Sequence, residues 1–251
     1  MADDSLQEWV LLPPSEGKRF GGGAGERDSF VEELGARRCE LWEKMCKEVT
    51  GGQGLEKLLG VRGSNLDRAK AAWEELSSGS AGLMPAWERY SGVVWEHVGC
   101  EALSEDELSR MLVLSGAYGV TDALDFVADY RLKMSVSLSG IGKLSSWWRE
   151  DVTRAVVGRV GAGVIIDLLP KEHSVALALS ENERVIRVEF IDGARAGGHA
   201  AKAVKGKVAR EILSFGLGSL SEFSWRGWRG RVEEGTDPRA AGNRYIVERP
   251  A

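Results

Sequence analysis

Apolar residues recur at three- and four-residue spacing through 28–49, as in Phe30, Leu34, Leu41 and Met45, and again through 66–78, which predicts two helices, the second capped by Asn65. Elsewhere the apolar positions bunch into short unbroken runs. A run ending at Leu11-Leu12, the stretch Met111-Leu112-Val113-Leu114, and Val164-Ile165-Ile166 ending at Asp167 all read as buried strands, while Arg187-Val188-Glu189-Phe190 alternates as a half-buried one. Tyr90-Ser91-Gly92-Val93-Val94-Trp95 is a turn entering a helix or short strand. Ser104 and Glu107 have the spacing of a capping box, and 145–157 is helical in pattern. Strands separated by helices predict a mixed α/β fold built on one central sheet, organised as a single domain over 1–251.

Composition narrows the class. With 43% apolar and 28% charged residues, the 251-residue chain is of ordinary globular type, which excludes disordered and collagen-like classes. The opening Met1-Ala2-Asp3-Asp4-Ser5 lacks a basic-then-apolar leader, and no apolar run approaches the roughly 20 residues of a membrane span, so a cytoplasmic protein with no membrane partner is expected. A net charge of −5 argues against a surface built throughout to hold phosphates, so any nucleic-acid contact must be local. Local basic runs exist at Lys202, Lys205, Lys207 and Arg210, and at Arg226, Arg229 and Arg231. Three cysteines and three histidines show no metal-ligand spacing, and neither a metal nor a cofactor is expected. Cys39 and Cys46, seven apart on one helix face, are expected to behave as buried small hydrophobes. The tryptophans beside arginines or glycines, Trp147-Trp148, Trp225 and Trp228, read as core with arginine at its edge or as platforms for stacking nucleobases.

Candidate chemistry begins at Leu11-Leu12-Pro13-Pro14-Ser15-Glu16-Gly17-Lys18, where an apolar strand runs into a proline-braced turn carrying a hydroxyl, a carboxylate and an amine. Loops at strand ends are where α/β proteins place their ligands. The following Phe20-Gly21-Gly22-Gly23-Ala24-Gly25-Glu26 lacks the ending of a phosphate-binding P-loop and reads as a mobile loop. Ser115-Gly116-Ala117-Tyr118-Gly119 is a second small-residue turn at a strand end, contributing Ser115 and Tyr118. Arg131, after the acidic series Asp122, Asp125 and Asp129, is either a fork-shaped donor for an anion or half of a structural Arg–Asp bridge. On a helix His199 and Lys202 share a face with Lys205 beside them, so the three could converge on one anion. Leu138-Ser139-Gly140-Ile141-Gly142-Lys143 looks like the hairpin of a helix-hairpin-helix DNA-binding element, or else a glycine stop followed by a new helix.

The Leu11–Lys18 run resembles the opening motif of the YaaA family of bacterial peroxide-stress proteins. Tyr90-Ser91-Gly92-Val93, Leu114–Gly119, Tyr130-Arg131-Leu132 and His199-Ala200-Ala201-Lys202-Ala203-Val204-Lys205-Gly206 agree with it in order, so the resemblance covers roughly 9–248. It implies a mixed-sheet fold with a helix-hairpin-helix-like element at about 132–158, and a role in limiting peroxide damage linked to holding the DNA backbone, here through Gly140, Gly142 and Lys143. Two departures stand out. The family's proline near 121–124 is replaced by Thr121-Asp122-Ala123-Leu124, and where a tyrosine follows an acid after the strand ending at Asp167, this chain has Glu172-His173. His173 is either a titratable newcomer to the site or a surface substitution. Two functions follow. One is an anion-binding YaaA-type protein that binds DNA; the other is a divergent enzyme acting on a nucleobase, nucleotide or other small anionic metabolite, such as one of a biosynthetic pathway. In the second, Glu16 is the base, Lys18 or His199 the acid or oxyanion partner, and Ser15, Ser115, Tyr118, Arg131, Lys202 and Lys205 bind the substrate.

Overall fold

The computed structural model describes residues 6–51, 54–179, 184–193, 195–196, 199–232 and 244–250, of which 195, 196, 199 and 244 are described by backbone alone. Strand β1 (Glu8–Leu12) leads through a long loop to helices α1 (Val31–Gly51) and α2 (Ser64–Ser78), then to the short helix α3 (Val93–Val98). Strands β2 (Met111–Ser115) and β3 (Gly119–Asp122) form a tight antiparallel pair, followed by helix α4 (Leu144–Val160) and strand β4 (Val164–Asp167). Strand β5 (Val185–Asp192), the short β6 (Arg195–Ala196), helix α5 (His199–Phe215) and strands β7 (Ser224–Trp225), β8 (Trp228–Val232) and β9 (Arg244–Arg249) complete the chain.

These strands make one mixed sheet in the order β7-β8-β9-β5-β4-β1-β2-β3, with β6 paired to β5. The inner five, β9-β5-β4-β1-β2, are mutually parallel, and the pairs β2-β3, β8-β9 and β7-β8 are antiparallel. Two-sided burial explains the unbroken apolar runs: Val10, Leu11 and Leu12 of β1 are buried, with Val10 aligned to Met111 on one side and Ile166 on the other. Helix α5 packs on α3 and across β1 and β5, while α1 and α4 pack together and α4 rests on β3. Because β1 is followed by β2 on one side and flanked by β4 on the other, the chain direction switches beside β1. In parallel sheets that switch opens a crevice at the carboxyl ends of the strands.

The central-sheet expectation holds, and the capping box does too. Ser104 caps the helix Glu105–Ser109, its hydroxyl accepting from the Glu107 amide while Glu107 reaches back to the Ser104 N–H at 2.7 Å. Ser104→Ala is expected to cost about 1 kcal/mol, read as a fall in Tm of ~2–4 °C.

Several local expectations are corrected. The 132–158 segment is a two-stranded hairpin, Ser137–Leu138 with Gly142–Lys143, feeding the single helix α4; residues 128–136 ahead of it form no helix, so the helix-hairpin-helix arrangement is not present. Gly140 and Gly142 have positive φ because they turn this hairpin. Helix α2 begins at Ser64 behind Gly63, without a side-chain cap from Asn65. The glycine-rich stretch is pinned: Gly23 and Leu83 exchange backbone hydrogen bonds at 2.8 Å, and the fully buried Arg89 donates to the carbonyls of Arg19, Gly21, Gly82 and Val127. Neither helix-borne cysteine is buried: Cys39 is exposed and Cys46 is half-buried, bonded to Ser77. Trp148 and Trp228 are core residues, with Arg249 over Trp228 and Arg37 over the half-buried Trp147.

Candidate functional site

The crevice beside β1 contains a cavity of about 530 Å³. Its walls come from the loop after β1 (Pro13 to Lys18), the start of α3 (Val93 to Trp95), the segment Tyr130 to Lys133, the turn after β4 (Pro170 to His173), Phe190 of β5, and one face of α5 (Ala201, Lys202, Lys205). Six of the sequence candidates line it together: Ser15, Glu16, Lys18, Arg131, Lys202 and Lys205.

The proline-braced turn is set by a strand-like pairing with 89–91. Lys18 bridges Tyr90, and the Ser91 amide bonds the Gly17 carbonyl at 3.1 Å. Gly17 is required by this approach, since a Cβ there would lie 2.9 Å from the Ser91 carbonyl oxygen. The turn thereby folds the Lys18 side chain inward. Its Nζ donates to the Ser15 carbonyl at 2.8 Å and sits 4.0 Å above the centre of the Tyr130 ring. Burial of the amine lowers its pKa from 10.5 to about 7; Asp129 opposes the shift and the neighbouring Arg131 and Arg68 reinforce it. Arg68 fixes this corner, donating to Asp129 at 2.7 Å and to the Lys18 carbonyl at 2.9 Å.

Glu16 points the other way. It takes an ion pair from Arg131 at 2.8 Å and one from Lys133 at 3.0 Å. Partial burial works against ionisation, but the Lys133 and Arg131 contacts outweigh it and hold the carboxyl below its ordinary range. Arg131 is thus paired, though not with the acidic series before it: Asp122 pairs with Arg159, Asp125 accepts from Ser29, and Asp129 from Arg68.

Ser115 and Tyr118 do not line the cavity but belong to the buried layer supporting it. Ser115 accepts from the Tyr118 amide, and Tyr118 accepts from the Ala128 amide and packs on Tyr130, whose hydroxyl meets that of Tyr90 at 2.8 Å. Burial pushes the Tyr118 phenol up to about 12 and those of Tyr90 and Tyr130 higher, so all three remain neutral props.

On the opposite wall Lys205 bonds the Leu168 carbonyl and lies 5.3 Å from the Phe190 ring centre. Burial lowers its pKa to about 8, Asp167 opposing and Lys202 assisting. His173 is buried, not a surface substitution. Desolvation and then the charge of Lys205 lower its pKa to about 4, leaving a neutral ring. The side chain of His199 lies outside the described residues, although its backbone opens α5. Gly140, Gly142 and Lys143 lie on the exposed hairpin and are not among the cavity residues.

Sequence reasoning missed Lys133 and Arg68. A basic residue two positions beyond Arg131 was the available signal for the first; Arg68 sits on the polar face of a helix and gave none. No group of three or more potential metal ligands occurs among the described residues.

A mixed α/β sheet with a cation-rimmed cavity at its switch point defines the class. Residues 9–232 match the profile of the family described as peroxide stress protein YaaA, and the chain belongs to that family. It is similar to a UPF0246 protein of Streptomyces coelicolor, 29% identical over 229 residues, covering 82% of this chain and 83% of that protein. It is also similar to a UPF0246 protein of Corynebacterium efficiens, 30% identical over 216 residues, with 82% and 84% covered. No helix among the described residues is long and apolar enough to cross a membrane.

Proposed function

We propose that the cavity binds a small metabolite carrying an anionic group and that the protein acts on it as an enzyme, with Lys18 as the residue that takes and returns a proton. The observation that carries this reading is the amine itself: a lysine folded onto the cavity wall, desolvated, stacked on Tyr130 and hydrogen-bonded to a backbone carbonyl rather than to a carboxylate. A purely structural lysine would snorkel to water or meet a carboxylate. With a pKa near 7 it offers a free amine and an ammonium in comparable amounts, the condition under which proton transfer in either direction is efficient.

The anion would be held by Lys202 and Lys205 of α5 with Arg131 from the opposite wall, cations that line one cavity. Glu16 suits the base role poorly, being kept ionised and occupied by Arg131 and Lys133; in this reading its carboxylate competes with the ligand's anionic group for Arg131. A cavity of about 530 Å³ fits a nucleobase, nucleotide or organic acid, and a duplex would reach only its rim.

The test is a thermal-shift panel of phosphate, benzoate, orotate, urate, nucleoside monophosphates and a short duplex DNA. At least one small anion should raise Tm, and Lys202→Glu should remove the shift. Stabilisation by the duplex alone, or by none of the panel, refutes the reading. Glu16→Gln is expected to bind the stabilising anion as tightly as the parent or a few-fold tighter, since it frees a cation; its stability should change by less than about 1 kcal/mol because the carboxylate is largely exposed. Weaker anion binding in that variant would return Glu16 to the substrate.

A further inference from the structure

The anion reading leaves one polar group of the cavity wall unused. Ser15 lines the cavity half-buried, and its hydroxyl makes no hydrogen bond among the described residues while staying open rather than sealed in the protein. Its place is nevertheless built. The hydroxyl oxygen lies so close over Gly92 that a Cβ there would stand 2.2 Å from it. Gly92 has φ −125°, a conformation open to any residue, so the glycine is needed for the space that the serine side chain occupies and not for its backbone.

The nearest proton acceptor is held on the same residue. Lys18 Nζ is bonded to the Ser15 backbone carbonyl at 2.8 Å, so an unpartnered hydroxyl and a desolvated amine free of any carboxylate share one corner of the cavity. Ser15 and Lys18 stand three positions apart, the spacing with which acyl-transferring enzymes of other folds set a lysine beside a nucleophilic serine. There a helix brings the pair together. Here the bridge between Lys18 and Tyr90 folds the lysine back over the turn.

We propose that Ser15 is a catalytic nucleophile with Lys18 as its base, and that the substrate is a small organic anion carrying an ester or thioester. The proposal rests on the anion reading and names the proton that Lys18 carries. Rotation about the Ser15 Cα–Cβ bond, or one bridging water, joins hydroxyl to amine, a contact that such sites tighten when substrate binds. The free amine of Lys18 takes the hydroxyl proton as Oγ bonds to the acyl carbon. The bond from that carbon to the leaving oxygen or sulfur then breaks, the leaving group takes the proton from the Lys18 ammonium, and the acyl group remains as an ester on Ser15. Water attacks this ester and gives a proton to Lys18. The acyl–Oγ bond breaks, Oγ takes that proton, and the carboxylic acid departs with the enzyme restored. The charge of the substrate is met throughout by Lys202 and Arg131.

The test uses the full chain with 3-acetoxybenzoate and 4-acetoxybenzoate, their uncharged methyl esters as controls, and mass spectrometry with fragment sequencing. The anionic esters should acetylate Ser15, and alkaline hydroxylamine, which cleaves esters and spares amides, should remove the label. Ser15→Ala should take none. In Lys18→Met the labelling rate at saturating probe should fall about 10²–10⁴-fold. The methyl esters should label roughly tenfold or more slowly, and that preference should vanish in Lys202→Glu; equal labelling by the methyl esters overturns the anionic substrate class. A hydroxylamine-resistant label on Lys18, or a Ser15 left unmodified, overturns the proposal. Thermal shifts with benzoate and the matching hydroxybenzoates then separate the two failures: stabilisation by an anion leaves the anion reading standing, and stabilisation by none removes both. Should Ser15→Ala fail to fold, the position and hydroxylamine lability of the label in the parent decide.

Discussion

Lys18→Met is expected to lose function and gain stability at once. Removing the ammonium deletes a contact to the bound anion, so affinity for whichever small anion stabilises the parent should fall roughly 10–100-fold. Turnover, where a substrate supports it, should fall by about 10²–10⁴, the usual worth of a positioned proton carrier. Methionine nevertheless keeps the length and packing of the stem over Tyr130 while removing a charge that burial makes unfavourable, so the variant should melt higher, by an amount of order 1–3 kcal/mol. The pH dependence supplies the sign. The Lys18 pKa falls from 10.5 in the unfolded chain to about 7 in the fold, so between those values the unfolded chain binds more protons. Stability of the parent therefore rises with pH across that window and is lowest below it, where both states carry the charge. Denaturant titrations of both proteins at pH 6 to 10 should show the variant's advantage greatest near pH 6 and shrinking by pH 10. A constant difference would mean that Lys18 is solvated in the native state. A destabilised variant would mean that its bond to Ser15 and its stack on Tyr130 outweigh its desolvation.

A lysine that is costly to bury and useful once buried also shows which parts of the site the sequence makes legible. The proline-braced turn and the Lys202–Lys205 helix announce themselves because polar groups stand directly after an apolar strand or at helical spacing, where no core requires them. That they meet depends on the sheet order, and sequence patterns do not specify which strand lies beside which. The switch next to β1, which brings the turn after β4 against the turn after β1, is a tertiary fact. For the same reason the sequence does not assign Arg131 its partner: three aspartates precede it, yet it pairs with Glu16, 115 residues earlier. Gly140 and Gly142 mislead in the opposite direction. Positive φ serves a β-turn as readily as the hairpin between two helices, and the segment ahead of it, with Tyr130, Leu132 and Met134 buried, belongs to the core without being helical. The last three strands, β7 to β9, leave little trace because arginines and glycines interrupt their apolar alternation; Arg231 and Arg249 stand on those strands, paired with Glu248 and Asp192. Burial also changes the meaning of a residue. His173, which its residue type alone would put at the surface, is buried in the cavity wall, where desolvation leaves its ring neutral.

Gly206→Ala is expected to damage the fold and the site together. Helix α5 crosses α3 at this glycine, and a Cβ there would lie 2.2 Å from the Val94 carbonyl oxygen and 2.8 Å from the His97 Cβ. The first of these is backbone, so no rotamer change relieves the clash, and the two helices must separate. Both carry the cavity: α3 supplies Val93, Val94 and Trp95, and α5 supplies Lys202 and Lys205. Overpacking at a backbone-to-backbone contact should cost about 3 kcal/mol or more, and anion affinity should fall by roughly tenfold as the lysines shift from their partners across the cavity. Gly158 provides the control. It lies in α4 with nothing within 4 Å of the position its Cβ would take, so Gly158→Ala should be neutral or add up to ~1 kcal/mol of stability through helix propensity alone. Parallel melting curves and anion titrations of the two alanine variants separate the outcomes. A Gly206→Ala protein that melts with the parent and binds the anion equally well would show that α3 and α5 tolerate separation, and that the spacing of the cavity walls is set elsewhere.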